Sequence, residues 1–139
     1  MFYGVEELLG NKLFCEKFKL TEGIKGKTVI IQGLGNVGYW AARFFEEGGA
    51  KVIGIIEYNS SIYNPEGFHV DEAFNYFRAN KSFKDFPKAK EVKMDKEIEQ
   101  VMYHECDILI PAAMEGTINK YALLVKVLDS TSIRFMQSL

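Results

Sequence analysis

The segment KTVIIQGLGNVGYW, residues 27–40, runs from a short apolar stretch directly into three glycines spaced as GxGxxG. Such a turn can receive a phosphate-bearing ligand or merely reverse the chain, so the flanking residues must discriminate. TVIIQ (28–32) is a β-branched run of strand length. Beyond the glycines, Val37, Ala41 and Phe44 recur at i, i+4 and i+7, the spacing of one helical face. The helix is expected to stop at Gly48 and Gly49, because glycine is favoured just past a C-terminus. KVIGIIE (51–57) then follows as a second buried strand. The two strands are continuously apolar, as parallel strands covered on both faces must be, and together the segments make a βαβ unit of about thirty residues.

Within that unit each glycine has a physical task. Gly33 permits the tight turn out of the strand, Gly35 lets backbone approach a diphosphate, and Gly38 lets the helix pack close to the strand. The unpaired N–H groups and positive dipole end of the helix can hold the diphosphate without a basic side chain. A dinucleotide site also wants a carboxylate about twenty residues further on, at the end of the second strand, to accept hydrogen bonds from ribose hydroxyls. Glu57 ends the run VIGIIE in that place. A 2′-phosphate set against Glu57 would bring like charges together, and no Arg or Lys stands in the residues just after it, YNSSIYNPEG. NAD is therefore expected over NADP. The GKT at 26–28 is no P-loop: Thr21 stands where that motif needs glycine, and the triplet precedes a strand instead of following one. Lys27 reads as a solvated residue at a strand entrance.

Outward from this unit the chain is more segmented. Residues 5–18 carry Val5, Leu8, Leu9, Leu13 and Phe14 at helical spacing. SSIYNPEGF holds the turn signal Asn64-Pro65-Glu66-Gly67; HVDEAFNYFRANK and DKEIEQVMYHE read as helices, and CDILIPAA as a third buried strand. From Thr117 to about Leu128 the pattern is helical, and the tail DSTSIRFMQSL fits no element. The expected organisation is a helix and loop over residues 1–26, a dinucleotide-binding domain over 27–122 and a tail of uncertain structure over 123–139.

Composition bounds the function. The 139 residues, 47% hydrophobic and 26% charged, suit one globular domain. Seventeen basic against nineteen acidic residues give a net charge of −2, with no basic block for nucleic acid and no basic amphipathic helix for a membrane. Cys15 and Cys106 lie far apart outside any metal-ligand pattern and read as buried, reduced thiols in an intracellular protein. No residue set predicts a metal. His69 and His104 read as surface side chains, the aromatics of FNYFRANKSFKDF as core, and Asp107 as a strand entrance. No local constellation supplies a nucleophile with its base or a pair of carboxylates, so no catalytic residue is assigned.

The stretch from GIKGKTVIIQGLGNVG to KVIGIIE, with SIYNPEGF, FPKAK and CDILIPAA after it, resembles the coenzyme-binding domain of glutamate dehydrogenase over about residues 3–122. NPEG and FPKAK resemble the animal-type mitochondrial enzymes. The resemblance implies an α/β, Rossmann-like, doubly wound and mostly parallel sheet with flanking helices, incomplete in its C-terminal half. It implies oxidative deamination of L-glutamate to 2-oxoglutarate and ammonia, with hydride passing to the nicotinamide. In that family the residues matching Gly33, Leu34, Gly35, Asn36 and Val37 wrap the pyrophosphate, Gly38 completes the motif, the residue matching Glu57 meets the adenosine ribose, and those matching Ala112 and Ala113 lie beside the cofactor. The family is homo-oligomeric and suggests the mitochondrial matrix, although no targeting peptide stands at Met1. The family's substrate domain, with its catalytic lysine and aspartate, would precede Met1, and the resemblance fades after about Tyr121. A chain truncated at both ends and inactive alone is thus expected. A non-catalytic regulatory module, or the coenzyme domain of another amino-acid dehydrogenase, is the alternative.

Overall fold

A computed structural model describes residues 2–112, 122–125 and 136–137 of the chain. The elements are α1 (Phe2–Leu9), α2 (Lys12–Phe18), β1 (Thr28–Gln32), α3 (Asn36–Glu47), β2 (Lys51–Ile56), β3 (Ser60–Phe68), α4 (Val70–Asn80), β4 (Glu91–Met94), a 3-10 helix (Asp95–Tyr103), β5 (Ile108–Pro111), β6 (Ala122–Val125) and β7 (Met136–Gln137). The strands lie in the order β4-β3-β2-β1-β5-β6-β7. The expected α/β, Rossmann-like class holds, and its parallel part is the centre: β1 pairs parallel with β2 on one side and β5 on the other. The outer pairs, β2 with β3, β3 with β4, β5 with β6 and β6 with β7, are antiparallel.

Both faces of the parallel centre are covered, which is why its strands are apolar throughout. Val29, Ile31 and Ile55 join α1, α3 and α4 in one cluster through Val5, Leu9, Ala42, Phe45 and Ala73. Ile30, Ile53 and Ile56 point the other way, toward Val101 of the 3-10 helix. Each such buried aliphatic side chain contributes roughly 1.5–3 kcal/mol, so these strands anchor the domain. Gly54 is part of that packing, since a Cβ there would stand 3.0 Å from Ile30 and from Val101.

Several sequence expectations change. The helix read across residues 5–18 is two helices, because Asn11 caps α2 by accepting the N–H of Phe14 at 3.1 Å. The Asn64-Pro65-Glu66-Gly67 turn signal holds, but the turn lies within a strand. It forms a bulge inside β3, where pairing passes from Gly54–Tyr63 to Val52–Phe68 and four residues of β3 oppose Ile53 alone. The Asn64 side chain accepts the N–H of Glu66 at 3.0 Å, and Gly67 takes φ +90. β4, which the sequence reading leaves unassigned, alternates polar and apolar residues over only four positions, all of them half-buried. Within the stretch expected to be helical from Thr117, Ala122–Val125 is a strand on β5, and in the tail Met136–Gln137 pairs with β6. Lys27 is not solvated: it is buried, its ammonium donating to the Thr21 hydroxyl at 2.5 Å. His104 is half-buried, stacked on Tyr63 at 3.6 Å with its Nε2 3.0 Å from a Glu91 carboxylate oxygen.

Candidate functional site

The carboxyl ends of β2, β1 and β5 finish level, with Gln32 opposite both Ile56 and Pro111. At this edge β1 leads through α3 to β2 on one side, while its neighbour on the other side, β5, follows only after the 3-10 helix; such a reversal of strand order is the switch point at which open α/β sheets form a crevice. Two backbone bonds join the segments that border it: Gly33 N–H donates to the Ile56 carbonyl, and Ala112 N–H donates to the Gln32 carbonyl, both at 2.7 Å.

The three glycines of the turn differ in what they face. Gly33 has φ +93, a conformation that only glycine adopts without strain. Gly38 lies buried in the first turn of α3, and a Cβ there would fall 1.9 Å from the Gly33 carbonyl oxygen. It lets α3 rest directly on the turn, with Ala112 also in van der Waals range. Gly35 is the N-cap of α3 at φ −68 and ψ −171, backbone any residue can adopt, and a Cβ there would meet nothing within 4 Å. Neither strain nor packing within the described residues requires glycine at 35.

The helix that begins there is left uncapped. Among the described residues no side chain accepts its first N–H groups, and its first turn carries no acidic residue. The first backbone bond of the helix runs from Tyr39 N–H to the Gly35 carbonyl at 2.8 Å, so the N–H groups of Asn36, Val37 and Gly38 precede the ladder. Gly35, Asn36 and Val37 are exposed and Leu34 is buried beneath them. An exposed cradle of this kind, with the dipole end of a twelve-residue helix behind it, suits an anion such as a phosphate.

Glu57 stands beside the cradle. Its Oε1 accepts the Leu34 N–H in a short bond, and among the described residues Oε2 has no partner. The carboxylate thus braces the turn with one oxygen and offers the other to hydroxyl donors. The turn that follows is closed by Glu57 N–H donating to the Ser60 carbonyl at 2.9 Å. The structure therefore brings Gly33, Leu34, Gly35, Asn36, Val37, Gly38, Glu57 and Ala112 to one edge, while Ala113 lies outside the described residues. The bond from Leu34 to Glu57 was not foreseen, although an acid ending the strand next to β1 was the available signal. No group of three or more His, Cys, Asp or Glu able to hold a metal occurs among the described residues, and none of their helices is long and apolar enough to cross a membrane.

Behind the cradle, α3 is clamped to α4. Asp71 accepts the Tyr39 hydroxyl at 2.7 Å and also pairs with Arg43, which donates to Glu47 at 2.8 Å. The bond to Asp71 holds the Tyr39 phenol above its usual range. His69, exposed, sits 3.3 Å from Glu46, whose carboxylate accepts the N–H of Val70 at the start of α4. Both contacts orient helices and lie outside the crevice.

The chain is similar to known proteins in sequence and in fold. The mitochondrial glutamate dehydrogenase of Dictyostelium discoideum is 46% identical over 121 residues, which are 86% of this chain and 23% of that protein. The NADP-specific glutamate dehydrogenase of Saccharolobus shibatae is 40% identical over 103 residues, 74% of this chain and 23% of its own. In structure, the hetero-hexameric glutamate dehydrogenase of Thermus thermophilus, in its Leu-bound form, superposes with a TM-score of 0.58 at 28% identity, covering 84% of this chain and 26% of that one. The chain spans about a quarter of the length of these relatives. The model of the Glutamate/Leucine/Phenylalanine/Valine dehydrogenase family matches residues 9–133, past the Tyr121 limit of the sequence resemblance. With most of its length inside that match, the chain belongs to the Glutamate/Leucine/Phenylalanine/Valine dehydrogenase family.

Proposed function

We propose that this chain is the coenzyme-holding part of a glutamate dehydrogenase and binds NAD across the carboxyl edge of its parallel strands. The observation that carries the reading is Gly35, a glycine that the described fold does not need, at the head of a helix that is uncapped among the described residues and beside a carboxylate with one oxygen unpartnered among them. The diphosphate would lie on the N–H groups of Asn36, Val37 and Gly38, and the adenosine ribose hydroxyls on Glu57 Oε2. Ala112, which packs toward Gly38, would border the cofactor, and Ala113 is proposed beside it. These contacts suit the group on the chemistry of its donors and acceptors. When bound, NAD supplies the hydride acceptor for oxidation of the amino acid.

NAD is favoured over NADP because a 2′-phosphate would meet the Glu57 carboxylate. The Saccharolobus relative is named NADP-specific, so the family does not fix the choice. The name of the Dictyostelium relative supports a mitochondrial setting. Hydride transfer needs the substrate carbon held about 3–3.5 Å from the nicotinamide, and that positioning lowers the barrier by roughly 7–11 kcal/mol. The edge described here forms one wall of such a cleft, and the wall that holds glutamate belongs to the greater length of the relatives. Titration calorimetry with NAD and NADP tests the binding, with NAD expected to bind more tightly and equal affinities refuting the role of Glu57. Reduced-coenzyme absorbance with glutamate should stay flat for the chain alone, and glutamate-dependent turnover by it would refute the one-wall reading.

A further inference from the structure

We propose that Tyr58 is the stacking platform for the adenine ring, an affinity contact that rests on the NAD reading above. A ribose gripped through its hydroxyls by Glu57 leads through its 5′ carbon back to the diphosphate at α3. Its base projects from C1′, next to the 2′ carbon, and so emerges close to the carboxylate on the side away from the helix. The next residue in the chain is Tyr58, which is 71% exposed. Among the described residues the other exposed aromatic side chains, Tyr3, Trp40, Phe44 and Tyr103, sit on helices. Tyr58 is the exposed aromatic ring on the strand-end turn.

The turn is built to hold that ring still. Besides the closing bond from Glu57 to Ser60, the Ser60 hydroxyl donates to the Asn59 side chain at 2.9 Å and accepts the Phe83 N–H at 2.8 Å. The Asn59 amide donates to the Lys81 carbonyl at 2.8 Å. Tyr58 also leans on Phe77 of α4 in an edge-on contact, centroids 5.9 Å apart and planes at 83°, which braces the ring and leaves most of its surface open. A base settling on a ring already held in place loses little conformational freedom, and base–aromatic stacking tolerates any base because every base has a π-face.

The test is calorimetric titration of ADP-ribose, which carries the base, and of reduced nicotinamide mononucleotide, which does not, into wild type, Tyr58→Phe and Tyr58→Ala. Tyr58→Ala should weaken ADP-ribose by about 10-fold, equivalent to about 1.4 kcal/mol. Tyr58→Phe should hold near wild type, and the mononucleotide should be unmoved in both. An independent measure in the unaltered protein is a nuclear Overhauser contact between the Tyr58 ring and adenine H2, which is expected. Wild-type ADP-ribose affinity in Tyr58→Ala, or the absence of that contact in the bound complex, would show that the ring serves only to pack on Phe77. Failure of wild type to bind ADP-ribose at all would instead remove the NAD reading, and this proposal with it.

Discussion

The two ends of the parallel strands are finished in opposite ways. At the amino edge the protein closes itself. Asp107, entering β5, accepts both the N–H of Thr28 at 2.8 Å and its hydroxyl at 3.1 Å, and the Asp107 N–H reaches the Thr28 hydroxyl at 3.0 Å. Lys27 is buried there on Thr21, and its carbonyl accepts the N–H of Lys51 at 2.7 Å. At the carboxyl edge the first N–H groups of α3 are given no side-chain acceptor, and Glu57 keeps one oxygen free among the described residues. Unsatisfied polar groups are costly only when buried. An edge left polar and exposed is therefore compatible with stability and available to a ligand.

The contrast also runs through the glycine turn, where Gly38 serves the fold and Gly35 does not. Gly38→Ala should have the largest effect on stability. It drives a methyl group into the Gly33 carbonyl, and α3 must lift from the turn at a cost of about 3 kcal/mol or more. Urea denaturation measures this, and an unchanged midpoint would mean that α3 seats less closely than the structure has it. Asp107→Ala should follow, at about 2 kcal/mol, because it leaves the Thr28 N–H without its acceptor. It should leave NAD affinity intact, since it acts at the closed edge; a matching loss of affinity in folded protein would break the distinction between the edges.

Glu57→Ala should cost less stability, about 1 kcal/mol, because the bond it removes, from the Leu34 N–H, is only partly buried. Its effect on binding should be larger, about 1.5–3 kcal/mol lost from NAD and less from NADP. Comparing the two coenzymes in this variant separates the brace on the turn from the contact to ribose. A parallel loss for both would assign Glu57 to the turn alone.

How much of this was legible in the sequence follows from what each segment packs against. β1, β2 and β5 were readable because their burial is nearly uninterrupted, with Val29, Ile30, Ile31, Val52 and Ile55 fully buried, and α3 because its buried Ala41, Ala42 and Phe45 recur at helical spacing. β3 was not, because its Asn64–Gly67 stretch has the chemistry of a turn and forms one, inside a strand whose ladder resumes at Phe68. The burial of Lys27 was illegible for a different reason, since its acceptor Thr21 belongs to a loop with no periodic pattern. At the site, the order strand, glycines, helix, strand, acid showed which residues would share an edge. The motif also gave Gly35 and Gly38 different tasks, and the structure shows how they differ in what stands across from them: the Gly33 carbonyl oxygen faces Gly38, and open space faces Gly35.

That difference supplies the most direct measurement. Gly35→Val introduces a side chain where the described fold has open space, so the thermal midpoint and circular dichroism should stay close to wild type, within about 1 kcal/mol of stability. On the other side of the ledger NAD affinity should fall by at least about 10-fold, or 1.4 kcal/mol, because the diphosphate can no longer reach the helix N–H groups. Titration calorimetry on the folded variant reads this directly. NAD binding at wild-type affinity in a folded Gly35→Val protein would contradict the claim that the open carboxyl edge is the coenzyme site.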